Sequence, residues 1–133
     1  MRVLGIDYGE KNIGLALGDT DSKIATPWGT ILNESALAVL SKIHDLMVRD
    51  MVDAIVVGIP KPLRDSRLVN AQVKKVKEFI RGLDGLGIKV FEENEVMSSL
   101  LAARQATELG EKEKRDDLEA AAILQSWLNK KKE

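Results

Sequence analysis

The chain has 133 residues and a mass of 14.7 kDa, with 44% hydrophobic and 31% charged residues, values typical of a globular domain with one core. It contains no cysteine, which excludes a disulfide framework, a thiolate zinc site and a thiol nucleophile. The formal net charge of −1 argues against a protein that coats nucleic acid through bulk electrostatics. We expect residues 1–133 to form one cytoplasmic domain, because no apolar run has the length of a signal peptide or a membrane span.

The start of the chain predicts two strands joined by a short connection. Residues 3–6 form a short apolar run with Gly5 inside it and Gly9 after it, which is typical of a buried strand, and residues 13–17 predict a second strand after the connection 9–12. Asp7 stands where the first strand ends. Burial of a carboxylate there is costly unless a cationic side chain or a metal ion lies beside it. Asp7 is therefore the first candidate functional residue, and a turn role is its alternative.

The rest of the pattern predicts a mixed sheet flanked by helices. Residues 24–32 form a third extended segment, and its proline favours an edge strand. The elements expected after it are a helix over 36–49 capped by Asn33 or Ser35, a strand over 53–58, a helix over 69–83, a strand over 88–91, and helices over 98–108 and 117–129. This order indicates an α/β fold with five strands, the first three antiparallel and the last two parallel.

Acidic residues stand at the ends of these predicted elements. Asp7 ends the first strand, Glu95 follows the last strand, and Asp116 and Asp117 open the last helix. If the strands that carry Asp7 and Glu95 are neighbours, these carboxylates meet at one edge of the sheet, where ligands of such folds gather. Ligation by oxygen alone favours Mg²⁺ or Mn²⁺ over Zn²⁺. A pair of such ions activates water and stabilises the leaving oxygen of a phosphodiester, which is the chemistry of a nuclease.

Structural roles are the alternatives for several of these acids. Glu93 is expected to be a surface charge. Asp116 and Glu119 fit the pattern of a capping box, in which both side chains bond to backbone amides at the start of a helix. Helical spacing leaves the choice between Asp116 and Asp117 open, because both precede apolar residues of the same helix by one turn.

Basic residues are concentrated in the segment 61–81, which holds seven lysines and arginines against two acids. Arg64, Arg67 and Lys74 in this segment are candidates for contacts with a phosphate backbone, which position a nucleic acid without reading its bases. Lys11, shortly after the first strand, is a candidate for steadying a phosphate. A solvated helix face is the alternative explanation of the cluster.

Five short motifs run in order along nearly the whole chain. They are residues 4–11 (LGIDYGEK), 13–16 (IGLA), 56–60 (VVGIP), 94–99 (NEVMSS), and Asp116 followed by 120–125 (AAAILQ). Together they resemble the RuvX (YqgF) family, Holliday-junction-resolvase-like proteins with an RNase H-like fold that include candidate pre-16S rRNA nucleases. The family has Asp-Glu-Arg-Leu-Thr-Thr where this chain has residues 94–99.

The resemblance implies a fold, an activity and a set of ligands. It implies an RNase H-like α/β domain that hydrolyses phosphodiester bonds of pre-16S rRNA or branched DNA with Mg²⁺ or Mn²⁺, acts on ribosomal precursor particles, and is a monomer or a homodimer. By position, the metal ligands and catalytic residues would be Asp7, Glu95 and Asp116. Asp116 is preferred over Asp117 because it precedes Gln125 by nine residues, as in the family pattern.

Three departures from the family pattern keep alternative functions open. Asn94 and Val96 replace the Asp and Arg of the family motif, and the loop after Pro60 lacks the family's glycine. The changes at Asn94 and Val96 motivate a non-catalytic nucleic-acid-binding module of ribosome assembly as the first alternative. A nucleotide binder related to actin-like ATPases is the second, although a second nucleotide-binding domain does not fit into 133 residues.

Overall fold

A mixed sheet forms the centre of the computed structural model, which describes residues 1–60, 67–94 and 116–130. The described strands are β1 (Arg2–Asp7), β2 (Asn12–Asp19), β3 (Ile24–Leu32), β4 (Ala54–Ile59) and β5 (Lys89–Asn94). Their order across the sheet is β3-β2-β1-β4-β5, with β1–β2 and β2–β3 antiparallel and β1–β4 and β4–β5 parallel. The expected five-stranded α/β sheet with an antiparallel first half is confirmed, and β3 is an edge strand as its proline indicated.

The described helices cover both faces of the sheet. They are α1 (Ala36–Arg49), α2 (Arg67–Asp84) and α3 (Asp116–Lys130). Buried aliphatic side chains of α1 and α2 pack on one face, and α3 packs on the other. The helix expected over 98–108 lies outside the described residues. None of the helices in the described ranges is long and apolar enough to cross a membrane.

Asn33 and Ser35, the two expected caps of α1, make different contacts. Ser35 caps α1, since its side chain accepts a hydrogen bond from the Ala38 amide at 3.2 Å. Asn33, the other expected cap, instead donates its side-chain amide to the Gly9 carbonyl at 2.9 Å. The Asn33 backbone amide also donates to the Lys11 carbonyl. The loop that follows Asp7 is therefore fixed at two points.

The alternation of side chains along β1 decides which helix Asp7 meets. Leu4 and Ile6 pack with α1 and α2, so Val3, Gly5 and Asp7 lie on the face that α3 covers. A Cβ added at Gly5 would lie 2.7 Å from the Leu124 Cβ of α3. The missing side chain therefore lets α3 lie directly on the strand that carries Asp7.

Glu93 of β5 binds the C-terminal half of α3 to the sheet. It is only 6% exposed, and its carboxylate accepts hydrogen bonds from the Ser126 hydroxyl at 2.7 Å and the Lys130 ammonium at 2.8 Å. The expectation that Glu93 is a surface charge is wrong, because these two donors on α3 satisfy a carboxylate that burial alone would destabilise.

Two glycine-to-alanine substitutions should change stability in opposite directions. Gly5→Ala should destabilise the protein by about 1–3 kcal/mol, because the new methyl overpacks the contact with α3. Gly82→Ala should be neutral or stabilise by up to about 1 kcal/mol, because alanine favours the helix and its Cβ meets only the tip of Leu40, at 3.1 Å. Urea unfolding measures both. A Gly5→Ala protein as stable as wild type would contradict the close approach of α3 to β1.

Candidate metal centre

Three carboxylates from two elements converge where β1 ends. Asp7 belongs to β1, and Asp116 and Glu119 lie one turn apart at the start of α3. One oxygen of each carboxylate lies within 4.8 Å of the corresponding oxygens of the other two. Asp7 and Glu119 are only 4% and 7% exposed, and Asp116 is half-buried. This is the carboxylate group that we describe as the candidate metal centre.

Gly14 on β2 makes this convergence sterically feasible. It pairs with Asp7 in the antiparallel register of β1 and β2. A Cβ added at Gly14 would lie 2.0 Å from the Asp116 carbonyl oxygen, far inside any real contact distance. Only glycine therefore allows the first turn of α3 to lie beside Asp7.

A cavity of about 410 Å³ adjoins the centre. Asp7 and Asp116 line one side of it, and Gln72 and Lys75 of α2 line another. The connection between β1 and β2 also contributes to the lining, with the residues 8–12. Tyr8 of this connection packs on Phe79 of α2, with ring centroids 4.7 Å apart. The cavity thus lies between β1, α2 and the start of α3.

An ion pair joins the connection to α2 at this cavity. The Lys75 ammonium donates a hydrogen bond to the Glu10 carboxylate, and both residues line the cavity. This hydrogen bond, reinforced by the positive charge of Lys75, lowers the pKa of Glu10 below its usual range. The same contact raises the pKa of Lys75. Both groups are therefore ionised at neutral pH.

The donor set of the centre fits a hard divalent cation. All three ligand groups are carboxylates, and oxygen-only ligation suits Mg²⁺ and Mn²⁺ rather than Zn²⁺. Two carboxylate charges at most 4.8 Å apart repel by at least about 3 kcal/mol at an effective dielectric constant of about 20. A divalent cation offsets this repulsion for all three groups at once.

The structure brings together only some of the acidic residues that were proposed from the sequence. Asp7 and Asp116 lie together, whereas Asp117 is buried and accepts a hydrogen bond from the Leu118 amide at 3.1 Å. Glu95 lies outside the described residues, and its role as a ligand stays a prediction. β5 ends at Asn94, and β4 lies between β5 and β1, so the strands expected to bring Asp7 and Glu95 together are not neighbours.

Glu119 is the residue of this centre that sequence reasoning missed. In the sequence, its spacing of three residues from Asp116 fits a capping box, which is an alternative role for the pair. The same spacing also places the two carboxylates on one side of a helix, which is the signal that would have revealed it.

Of the basic residues proposed as substrate contacts, one is seen to line the cavity in the described part of the chain. Lys11 lines the cavity. Lys74 is exposed on α2, and its neighbour Lys75 lines the cavity in its place. Arg64 lies outside the described residues, and Arg67 is the first residue of α2, with a side chain outside the described part. Contacts of all four with substrate stay predictions.

Removal of the Glu119 carboxylate should weaken metal binding. We expect Glu119→Gln to lower Mn²⁺ affinity about tenfold or more, which corresponds to a loss of at least about 1.4 kcal/mol. Isothermal titration calorimetry measures the affinity. Glu78→Gln, on the exposed face of α2, is the matched control and should bind Mn²⁺ as wild type does. Equal affinities of Glu119→Gln and wild type would exclude Glu119 as a ligand.

Gly14→Ala tests the steric origin of the centre. The added methyl should push the start of α3 away from β2, separate Asp116 from Asp7 and weaken Mn²⁺ binding. Gly18→Ala, on the same strand, is the control: its Cβ would meet Leu124 and Leu128 of α3 at 3.0 and 3.1 Å, away from the carboxylates. Calorimetry on folded variants should show a larger loss for Gly14→Ala. Loss of equal size in both variants would contradict this explanation.

Comparison with known proteins places the chain in a family. The family model described as RuvX, Holliday junction resolvase, matches residues 1–130. A relative from Sulfurihydrogenibium sp. (strain YO3AOP1), named as a candidate pre-16S rRNA nuclease, is 35% identical over 135 residues, which cover 97% of this chain and 90% of that protein. A relative of the same name from Caldanaerobacter subterraneus subsp. tengcongensis is 36% identical over 139 residues and covers 99% of both chains.

The fold is shared with a solved resolvase. RuvC from T. thermophilus, determined in complex with a Holliday junction substrate, has a TM-score of 0.59 at 19% identity, over 96% of this chain and 93% of RuvC. This likeness confirms the expected RNase H-like fold. With the family match over almost its entire length, the chain belongs to the RuvX family of Holliday-junction-resolvase-like proteins.

Proposed function

We propose that this protein is a metal-dependent nuclease that hydrolyses phosphodiester bonds during 5′-end processing of pre-16S rRNA, with Holliday-junction-like DNA as the alternative substrate. The convergence of Asp7, Asp116 and Glu119 beside a cavity carries the proposal. Relatives named as candidate pre-16S rRNA nucleases support the substrate class. We further propose that it acts in the cytoplasm as one domain, on ribosomal precursor particles.

Asp7, Asp116 and Glu119 would hold the divalent cation, and Glu95, implied by the resemblance, is proposed as a further ligand. Mg²⁺ or Mn²⁺ held there would supply Lewis-acid stabilisation of a phosphoryl oxygen and would lower the pKa of water. The fixed orientation of Asp7 follows from its place in the sheet. That of Asp116 and Glu119 follows from the packing of α3.

Charge in the cavity makes substrate binding depend on the cation. Its lining holds three carboxylates, on Asp7, Glu10 and Asp116, and two ammonium groups, on Lys11 and Lys75. A nucleic acid is a polyanion, so it meets net repulsion there until positive charge is added. Lys11, which lines the cavity, is proposed to contact a phosphate of the bound backbone.

Replacement of Asp7 by Asn should abolish cleavage while the fold is retained. We expect the rate on a pre-16S rRNA fragment to fall at least about a hundredfold, because several kcal/mol of charge stabilisation are lost. Asp45→Asn, the same chemical change on the exposed face of α1, is the control and should cut like wild type. A purified Asp7→Asn protein that cleaves RNA and junction DNA at the wild-type rate would refute the proposal.

A non-catalytic nucleic-acid-binding module of ribosome assembly is the second candidate function. Asn94, at the end of β5, favours it because the family motif has an aspartate at this position. This function requires that the wild-type protein binds RNA but shows neither Mn²⁺ binding nor cleavage. Saturable Mn²⁺ binding accompanied by cleavage would exclude it.

A further inference from the structure

The ion pair of Glu10 and Lys75 lies in the cavity of the candidate metal centre and is exposed to solvent. Both side chains are more than half exposed, with accessible fractions of 67% and 53%. Exposed ion pairs contribute little to stability. A pair of this strength is easily exchanged for another partner.

Lys75 presents the same donor to Glu10 that it would present to a phosphate. A lysine ammonium binds carboxylate and phosphate oxygens alike through short, charge-assisted hydrogen bonds. The Glu10 carboxylate accepts the hydrogen bond of Lys75 as a phosphodiester oxygen would, and this contact lowers its pKa, which favours the charged form. The Glu10 carboxylate therefore resembles a backbone phosphate of a nucleic acid, both in its negative charge and in the hydrogen bond that it accepts from Lys75.

Two further polar side chains, those of Gln72 and Lys11, line the same cavity as Lys75. Gln72 lies one turn before Lys75 on α2, and both line the cavity. Lys11 lines it from the connection between β1 and β2, next to Glu10 in sequence. Amide and ammonium donors thus reach the cavity from two of its walls.

We propose that Lys75, with Gln72 and Lys11, forms a subsite for a phosphodiester group next to the bond that is cut, and that Glu10 occupies this subsite in the free protein. An incoming phosphate replaces the Glu10 carboxylate on Lys75. Glu10 thereby weakens the binding of all phosphate backbones and opposes retention of the product. The inference rests on the proposed nuclease function, since it assigns a substrate contact in the same cavity.

A second ion pair on α2 provides a matched control. Lys77 donates to Glu92 of β5 at 2.7 Å, and the two side chains are 46% and 45% exposed. The pair has the same chemistry and similar exposure as the pair of Glu10 and Lys75. Neither Lys77 nor Glu92 lines the cavity.

The test is a double-mutant cycle on nucleic-acid affinity. Wild type, Glu10→Gln, Lys75→Gln and the double variant are titrated with a short fluorescent RNA and with a DNA of the same sequence. Fluorescence anisotropy in Ca²⁺ gives the Kd, and a gel confirms that the probe stays intact. Lys77→Gln and Glu92→Gln are titrated in parallel.

Glu10→Gln should tighten binding roughly two- to fivefold, the factor that corresponds to an exposed ion pair. Lys75→Gln should weaken binding of RNA and DNA alike, because a phosphate contact carries no sequence information. In the Lys75→Gln background, Glu10→Gln should have no further effect. Both control variants should change the Kd less than their counterparts.

Two results would overturn the subsite. Unchanged or weaker binding by Glu10→Gln would show that Glu10 does not compete with phosphate. Tightening that persists without Lys75 would show only a general effect of removing negative charge. Failure of the nuclease proposal is distinguished from failure of the subsite by a different measurement. If the nuclease proposal fails, Asp7→Asn cleaves at the same rate as wild type, and the Kd values of the double-mutant cycle still show whether Glu10 competes with phosphate for Lys75.

Discussion

The close approach of α3 to the sheet is the constraint on which the candidate site depends. Gly14 and Gly5 lie beneath this helix, where any side chain would collide with Asp116 or Leu124. Helices packed on larger residues lie farther from a strand. Here the absence of two side chains brings the first turn of α3 to the end of β1, where Asp7 stands. The site is therefore a consequence of packing, and a substitution at a glycine that carries no functional group should disturb it.

The two faces of the sheet contribute differently to the protein. Large aliphatic residues fill the face under α1 and α2 and supply the core. Small residues such as Gly5 and Ala16 dominate the face under α3, which places backbone and carboxylates near one another. Glu93 secures this second face through Ser126 and Lys130 near the C-terminal end of α3. One face thus holds the larger aliphatic cluster, and the other combines a second hydrophobic cluster with the carboxylates of the site.

The sequence predicted the fold more completely than the site. Apolar runs and glycines predicted the strands, and the position of Asp7 after the first apolar run identified the first carboxylate. Glu119 was missed because its spacing from Asp116 fits a cap and a ligand pair equally well, and only the position of β1 distinguishes them. Glu93 was misjudged because its donor Ser126 lies 33 residues away, a separation across which local pattern carries no information.

The most direct test of the metal centre is anomalous diffraction from crystals of the wild-type protein soaked in Mn²⁺. The geometry of Asp7, Asp116 and Glu119 predicts an anomalous peak within ligand distance of all three carboxylates. A Mn²⁺ peak elsewhere, with none between these carboxylates at saturating concentration, would contradict the assignment of this site as the metal centre.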